Sequence, residues 1–300
     1  MNYKLSELTV IIVTFKTDKN ILKNCLSSID SNVKVIIVEN SNSFKYKNEI
    51  ENDFKNVKIL CSGSNLGMGA GNNFGLLNTN TEYALILNPD VVCGKNFFFN
   101  IQKFLDGKID FTIMGGVYDK SVDYKSAGFF DNKNLSKANL FKEHNLYEVD
   151  WIIGHTMLIN RKKFNQVKIF DENFFLFYEE TDLCKSVKKR NENIFMCPDL
   201  KVEHLGFKGS FAADKNFEME AIKIRNWHYM WSFFYYHKKT NGYFNAIKKS
   251  LGKLIRSFFK TIFYFLIFNK KERTVYFFRF LGLFNSIINR KSFFRVDLED

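Results

Sequence analysis

From Leu8 to Leu87 short apolar runs alternate with amphipathic stretches: LTVIIVTF, a mixed segment from Asp18 to Ile29, then VKVIIVE, VKIL and YALIL. Continuous β-branched runs suit strands buried on both faces, so the pattern predicts an α/β fold with a mostly parallel central sheet and helices packed over it. The turns between the runs are polar. Asn40-Ser41-Asn42-Ser43 follows VIIVE, and SGSNLGMGAGNNFG follows VKIL, with five glycines that relieve the backbone near a helix start. Asn88-Pro89-Asp90 cuts YALIL. Ligands of open parallel sheets bind outside the carboxyl ends of the strands, where these three turns must lie.

FTIMGGVY predicts a further strand, and the polar, lysine- and asparagine-rich stretch after it, towards residue 150, predicts a flexible loop or hairpin. WIIGHTMLIN (151–160) reads as one buried strand. FDENFFLFYEETDLCKSVKKRN turns from aromatic loop into helix around Glu179. Leu183 and Val187 there share a face at i and i+4, Glu179, Glu180 and Asp182 crowd the start, and Lys188 to Arg190 crowd the end. NIFMCPDLKVEHLGF reads as two short extended pieces ending at His204. From Lys223 the character changes, because aromatic and basic residues interleave and cations interrupt every apolar run. The longest run, Thr261 to Phe268, is far short of the about twenty residues that cross a bilayer. The chain therefore divides into a sheet domain over 1–222 and a basic, aromatic helical tail over 223–300. The tail suits helices lying in a membrane interface; packing on the sheet domain or a homodimer contact is the other reading.

Composition narrows this picture. With 46% hydrophobic and 25% charged residues, the 300-residue chain buries a sizeable core, which excludes disordered and fibrous classes. Cys25, Cys61, Cys93, Cys184 and Cys197 form no C-x-x-C pair, which points to a reducing compartment without a disulfide framework or zinc site. The amino terminus, MNYKLSELTVIIVTF, carries no export signal, so a cytoplasmic location is expected. A net charge of +12 suits nucleic acid, an anionic membrane or a polyphosphate ligand.

Three positions offer chemistry, each with a plainer alternative. Asp90 directly follows a buried strand, at the edge where a carboxylate can hold Mg2+ or Mn2+ on phosphates; it is otherwise an exposed turn residue. Glu179, Glu180 and Asp182 lie beside the aromatic loop FFLFY, where desolvation raises a carboxylate pKa towards that of a general base; acidic residues are also ordinary at a helix start. His204, after an alternating strand, is either a metal ligand or a structural histidine. The glycine turn at 63–75 can cradle phosphate but is neither a Walker loop nor a dinucleotide fingerprint. Glu39-Asn40-Ser41 binds a base and ribose or simply makes a turn.

Taken in order, VIIVTF, VIIVENSNS, NLGMGAGNNFG, LILNPDV, WIIGHTMLI, FDENFFLFYEETDLC and VEHLGFKGS resemble the family 2 glycosyltransferases, in particular the bacterial rhamnosyltransferase-like branch, over about Leu8 to Ser210. The resemblance implies a GT-A fold, Rossmann-like in its sheet, and an inverting transferase. Its donor would be a nucleoside-diphosphate sugar carrying rhamnose or a hexose, its acceptor a hydroxyl of a glycan or lipid-linked glycan, and its cofactor Mn2+ or Mg2+. Carried over by position, Thr14, Glu39 and Asn40 line the nucleoside pocket, and Asn65, Gly67 and Asn73 border the donor. Asp90 takes the place of the metal-binding aspartate, with Asn88 where the first aspartate of a D-x-D motif often stands. His204 matches the late histidine near the metal, Glu180 the base with Glu179 as its alternative, and Trp151 and Gly154 the acceptor side. A lipid-linked acceptor implies peripheral attachment to the inner face of the cytoplasmic membrane. Two other classes compete: a nucleotide-sugar-binding protein without turnover, and a basic nucleic-acid-binding module, which leaves the acidic cluster without a purpose.

Overall fold

The structure, a computed structural model, describes residues 5–107, 109–118, 127–131, 139–165, 168–206, 208–211 and 214–296. Its elements begin with β1 (Leu8–Thr14), α1 (Lys19–Ser27), β2 (Lys34–Glu39), α2 (Lys47–Asp53), β3 (Val57–Cys61), α3 (Met68–Leu77) and β4 (Tyr83–Leu87). There follow β5 (Val91–Cys93), α4 (Phe97–Asp106), β6 (Ile113–Tyr118), β7 (Ala127–Gly128), β8 (Leu140–Phe141), β9 (Leu146–Glu148), β10 (Trp151–Ile152) and β11 (Thr156–Asn160). The last are α5 (Glu179–Lys189), β12 (Ile194–His204), α6 (Glu218–Asn241), α7 (Tyr243–Leu266) and α8 (Lys270–Ile287).

The main sheet has the order β3-β2-β1-β4-β11-β6-β12-β9-β8, with β5 against β12. β3, β2, β1 and β4 run parallel, as their β-branched runs predict, and β6 and β12 pair in parallel too. β11 lies antiparallel between β4 and β6, a reversal that periodicity does not encode. Alternate side chains of β1 serve opposite layers. Val10 and Ile12 belong to one core with Leu22 and Leu26 of α1, Ile50 of α2, and Phe97, Ile101 and Phe104 of α4. Ile11 packs with Leu76 of α3 and with Leu183 and Val187 of α5. Helices thus cover both faces. At Gly71 an added Cβ would lie 2.8 Å from Val13 Cγ1, so glycine is what lets α3 settle directly on β1.

Two expectations change. The segment read as one strand over 151–160 is broken: β10 pairs with β7 in a small separate ladder, and only β11 enters the main sheet. The break frees Ile153, Gly154 and His155 from regular pairing, which the continuous apolar run concealed. Conversely, the two extended pieces expected before His204 are one strand, β12, whose register shifts between Met196 and Lys201 around Pro198. Within the polar stretch before residue 150, β8 and β9 form an antiparallel hairpin that turns through Asn145 at φ +51°. The flexible loop expected at 119–126 and 132–138 lies outside the described residues.

The chain forms two compact units. The first, residues 1–171 and 180–211, contains the sheet. The second combines residues 172–179 with 212–300 and is helical. Inside it, α6 and α8 touch backbone to backbone where Gly282 meets Trp227, and the Ser286 hydroxyl donates to the Trp231 carbonyl at 3.0 Å. Met230, Phe234 and Leu283 fill the contact with Ala246 of α7. The aromatic loop 174–178 lies on α6: Phe174 stands edge-on to Tyr235 at 4.9 Å, and the Ser232 hydroxyl donates to the Leu176 carbonyl at 2.9 Å. Tyr178 is surrounded by Tyr229, Phe233 and Tyr236.

Candidate active site

The carboxyl ends of β1 and β2 bring Thr14, Glu39 and Asn40 together, all about 1% exposed. The Thr14 hydroxyl donates to Glu39 Oε2 at 2.6 Å, while Oε1 accepts from the Ser41 hydroxyl at 2.8 Å and the Lys16 N–H at 3.3 Å. Three donors fix the carboxylate and leave it little further acceptor capacity. The Asn40 side-chain amide donates to the Gly67 carbonyl at 3.0 Å, tying this pair to the turn before α3. There Asn65 Oδ1 accepts from the Gly67 N–H at 3.1 Å, and Gly67 caps the helix at φ +86°, a conformation that glycine adopts without steric cost. Asn73 is different. It is fully buried in α3, its Oδ1 accepting from the Ile169 and Phe170 N–H groups and its amide donating to the Phe170 carbonyl at 2.8 Å.

The end of β4 delivers Asp90 into a closed setting rather than an exposed turn: it is 3% exposed. The Lys208 N–H donates to its Oδ2 at 3.0 Å, and His204 Nε2 lies 3.2 Å from Oδ1. Burial raises the Asp90 pKa, but the contacts with His204 and the Lys208 N–H outweigh it, and the net shift is downward. Gly209 backs the carboxylate closely; a Cβ there would sit 3.0 Å from Oδ1. The Tyr118 hydroxyl lies 3.3 Å from His204 Nδ1. Because an ionised Asp90 only accepts, His204 Nε2 is the donor in that contact, while the Nδ1 contact with the Tyr118 hydroxyl fits donation in either direction.

Residue 155 joins this group. Its carbonyl accepts from the Asn88 N–H at 3.0 Å, which anchors the start of β11 beside the Asn88-Pro89-Asp90 turn. The His155 ring is 2% exposed and lies 4.8 Å from Tyr118 and 5.4 Å from His204, centroid to centroid. Its Nδ1 pairs with the Thr156 hydroxyl at 2.7 Å, while Nε2 has no hydrogen-bond partner among the described residues. Burial, reinforced by His204 and opposed by Asp90, pulls its pKa down to about 3, so the ring is neutral at physiological pH.

One residue earlier, Gly154 borders the other acidic position: a Cβ there would meet Cβ and Cγ of Glu180 at 3.3 Å. Glu180 lies in the first turn of α5. Burial raises its pKa, while its own N–H and that of Thr181 pull the other way and do not win. The consecutive residues Gly154 and His155 thus touch Glu180 on one side and the His204–Asp90 pair on the other. Glu179 falls in the segment assigned to the helical unit, directly after Phe177 and Tyr178, both in the left-handed region at φ +68° and +69°. Two such residues in a row are strained. Trp151, in β10, lays its ring over Gly128, where a Cβ would come within 2.7 Å of Cζ2.

The donor set fits a hard or borderline divalent ion. Asp90 offers a carboxylate oxygen and His204 an imidazole nitrogen, a mixture that suits Mn2+ at least as well as Mg2+. Among the described residues no group of three or more His, Cys, Asp or Glu side chains is arranged to hold a metal. Protein ligands to such an ion would therefore be few.

Sequence reasoning missed Tyr118, His155 and Gly209. Tyr118 ends a plain strand, His155 sat inside a run read as buried strand, and Gly209 had no motif of its own beyond the late VEHLGFKGS segment.

The sheet edge thus holds a buried carboxylate beside a half-buried histidine, with a desolvated glutamate near by, and comparison with known proteins gives the class. The family model "Glycosyl transferase family 2" matches residues 9–174. The chain is 29% identical over 211 residues, 67% of either chain, to the low-salt glycan biosynthesis hexosyltransferase Agl10 of Haloferax volcanii. It is 22% identical over 206 residues to dTDP-rhamnosyl transferase RfbF of Shigella flexneri, covering 66% of this chain and 69% of that one. Among solved structures it resembles the mannosyltransferase PcManGT from Pyrobaculum calidifontis in complex with GDP-Man and Mn2+. That likeness has a TM-score of 0.54 and 10% identity over 93% of this chain and 86% of the other. The fold is GT-A and the protein is a glycosyltransferase. It belongs to glycosyl transferase family 2.

Proposed function

We propose that the protein is an inverting transferase. It moves rhamnose or a hexose from a nucleoside-diphosphate sugar to a hydroxyl of a glycan or lipid-linked glycan precursor, with Mn2+ or Mg2+, at the inner face of the cytoplasmic membrane. The observation that carries this reading is the pair Gly154–His155, which adjoins Glu180 on one side and the Asp90–His204 pair on the other. The hexosyl and rhamnosyl activities in the relatives' names support the choice of sugars.

Each residue has a physical task in this scheme. Thr14, Glu39 and Asn40 hold the nucleoside, the Glu39 carboxylate being already oriented by three donors. Asn65 and Gly67 shape the turn whose following amides, at the start of α3, face the diphosphate. Asn73 acts at one remove, since its carboxamide is spent on the backbone at 169–170. Asn88 and Asp90 meet the donor at the end of β4, and Asp90 with His204 would hold the cation. When bound, that ion supplies Lewis-acid stabilisation of the leaving diphosphate. Glu180 takes the proton from the attacking hydroxyl at its carboxylate oxygen, a role helped by its raised pKa. Trp151 and Gly154 border the acceptor. A single displacement assisted by one carboxylate base inverts the anomeric centre.

The reading is tested by incubating the full chain with dTDP-rhamnose, UDP-hexoses and GDP-mannose, with Mn2+ or after chelation, and following nucleoside diphosphate release. Inversion is read from the anomeric configuration of the product by NMR. Metal-dependent release from at least one donor is expected; binding without release would leave a nucleotide-sugar-binding protein instead.

Tyr118 is expected to matter through His204. Its hydroxyl, 3.3 Å from Nδ1, can donate to or accept from that nitrogen, and so would hold the ring with Nε2 available to a cation. Tyr118→Phe can do neither. The Mn2+ concentration giving half-maximal activity should rise about tenfold while kcat at saturating Mn2+ changes little. An unchanged Mn2+ requirement would detach Tyr118 from the site.

A further inference from the structure

Helix α7 has one face packed on α6 and α8, where Ile247 and Leu254 join the core of Met230, Phe234 and Leu283, and a second apolar face left open. Its buried positions include the small residues Ala246, Ser250 and Ser257. On the open face, Leu251, Ile255, Phe259, Ile262, Phe263 and Leu266 are between 43% and 65% exposed. At 3.6 residues per turn they form one stripe, with Lys249 and Arg256, also exposed, along its flank. The stripe runs into the corner before α8. There Phe268 is 93% exposed at φ +56°, a backbone region that a bulky side chain rarely occupies. Residues 243–290 contain ten lysines and arginines against one acidic residue, Glu272. No helix among the described residues is long and apolar enough to cross a membrane.

We propose that this face of α7, with the Phe268 corner, lies in the plane of an anionic lipid bilayer, its phenylalanines and aliphatic residues below the headgroups and its cations among them. The proposal deepens the reading of the protein as a transferase with a membrane-held acceptor, by naming the docking element and the lipid charge it requires. Charge complementarity selects the occupant. A second copy of the same face would set cations against cations, and the leucines and isoleucines between Phe259, Phe263 and Phe268 interrupt any stacking platform for nucleic-acid bases, whereas anionic headgroups over an acyl interior match both parts of the stripe.

The test is flotation of the full chain with vesicles of phosphatidylcholine alone and of equal parts phosphatidylcholine and phosphatidylglycerol. Binding is expected to the anionic vesicles. Ile255→Glu with Phe259→Glu should weaken it about tenfold or more, and Lys248→Gln, Lys249→Gln and Arg256→Gln together by on the order of one hundredfold. Donor hydrolysis in vesicle-free buffer should stay at the level of the unaltered chain in both variants, which also reports that they fold. No flotation of an unaltered chain that hydrolyses donor would overturn the docking proposal alone. A chain that floats but hydrolyses no donor would overturn the transferase reading and leave the docking face standing. Equal flotation of the Ile255→Glu, Phe259→Glu variant, or a dimer in sedimentation analysis that this variant splits, would also overturn the proposal.

Discussion

Asp90→Asn is expected to fold and to lose on the order of a thousandfold in transfer rate, about 4 kcal/mol of transition-state stabilisation. The substitution keeps the shape of a side chain that is 3% exposed and removes its charge. Both partners of the carboxylate donate to it: the Lys208 N–H to Oδ2 and His204 Nε2 towards Oδ1. An asparagine accepts through one atom only, so one donor loses its acceptor and the proposed cation would lose a charged ligand. The Asp90 pKa is lowered in the folded state, so its contribution to stability is present above the unfolded value near 3.9 and lost as pH falls through the folded one. At neutral pH the variant should therefore melt somewhat lower than the parent. The check pairs nucleoside diphosphate release with a thermal-shift series of donor with and without Mn2+. Loss of the Mn2+-dependent part is expected, and turnover within tenfold of the parent would remove Asp90 from its role.

Glu180→Gln should also nearly abolish transfer, by about a hundredfold to ten-thousandfold, with donor binding preserved. Its effect on stability has the opposite sign. Burial raises the Glu180 pKa, so the folded protein holds that proton more tightly than the unfolded chain does. Stability then falls as pH rises from the unfolded value near 4.3 to the folded one, and above that window the whole penalty is in force. Glutamine carries no charge to desolvate, and the variant should melt higher than the parent at neutral pH. The parent's rate should fall on the acid side as Glu180 is protonated, at a pH shifted upward from that of a free glutamate, and any residual rate of the variant should lack that limb. A variant with normal turnover would return the base to Glu179. Together the two substitutions separate catalysis from folding, since both silence the enzyme and they move the melting temperature in opposite directions.

Much of this layout was legible in the residues. β-branched runs mark buried strands whatever their neighbours, so β1, β2, β3 and β4 could be read directly, and the helix opening at Glu179 followed from its charge gradient and the Leu183–Val187 face. Asp90 was visible because a polar residue just after such a strand can only stand at the ligand edge. Strand direction was not visible. Nothing in WIIGHTMLIN says that its second half runs antiparallel beside β4, nor that the chain breaks at Gly154 and His155, where the contacts linking the two acidic positions arise. Tyr118 and His155 enter only through tertiary stacking with His204, which no spacing along the chain encodes. In the tail, the interleaving of aromatic and basic residues suggested interfacial helices but not which residues turn outward, because inward and outward stripes have the same sequence signature.

That outward stripe bears on how the helical unit keeps its shape. Each large apolar side chain withheld from the interior forgoes about 1 kcal/mol or more of burial, and the packed face of α7 offers Ile247 and Leu254 beside the small residues Ala246, Ser250 and Ser257. A hydrocarbon phase against the stripe would act as the missing wall of the core and, because it engages only the folded form, would raise that form's share of the population by mass action. On the docking proposal the helical unit would be firmest against lipid, and mild detergent should protect it against heat where plain buffer does not.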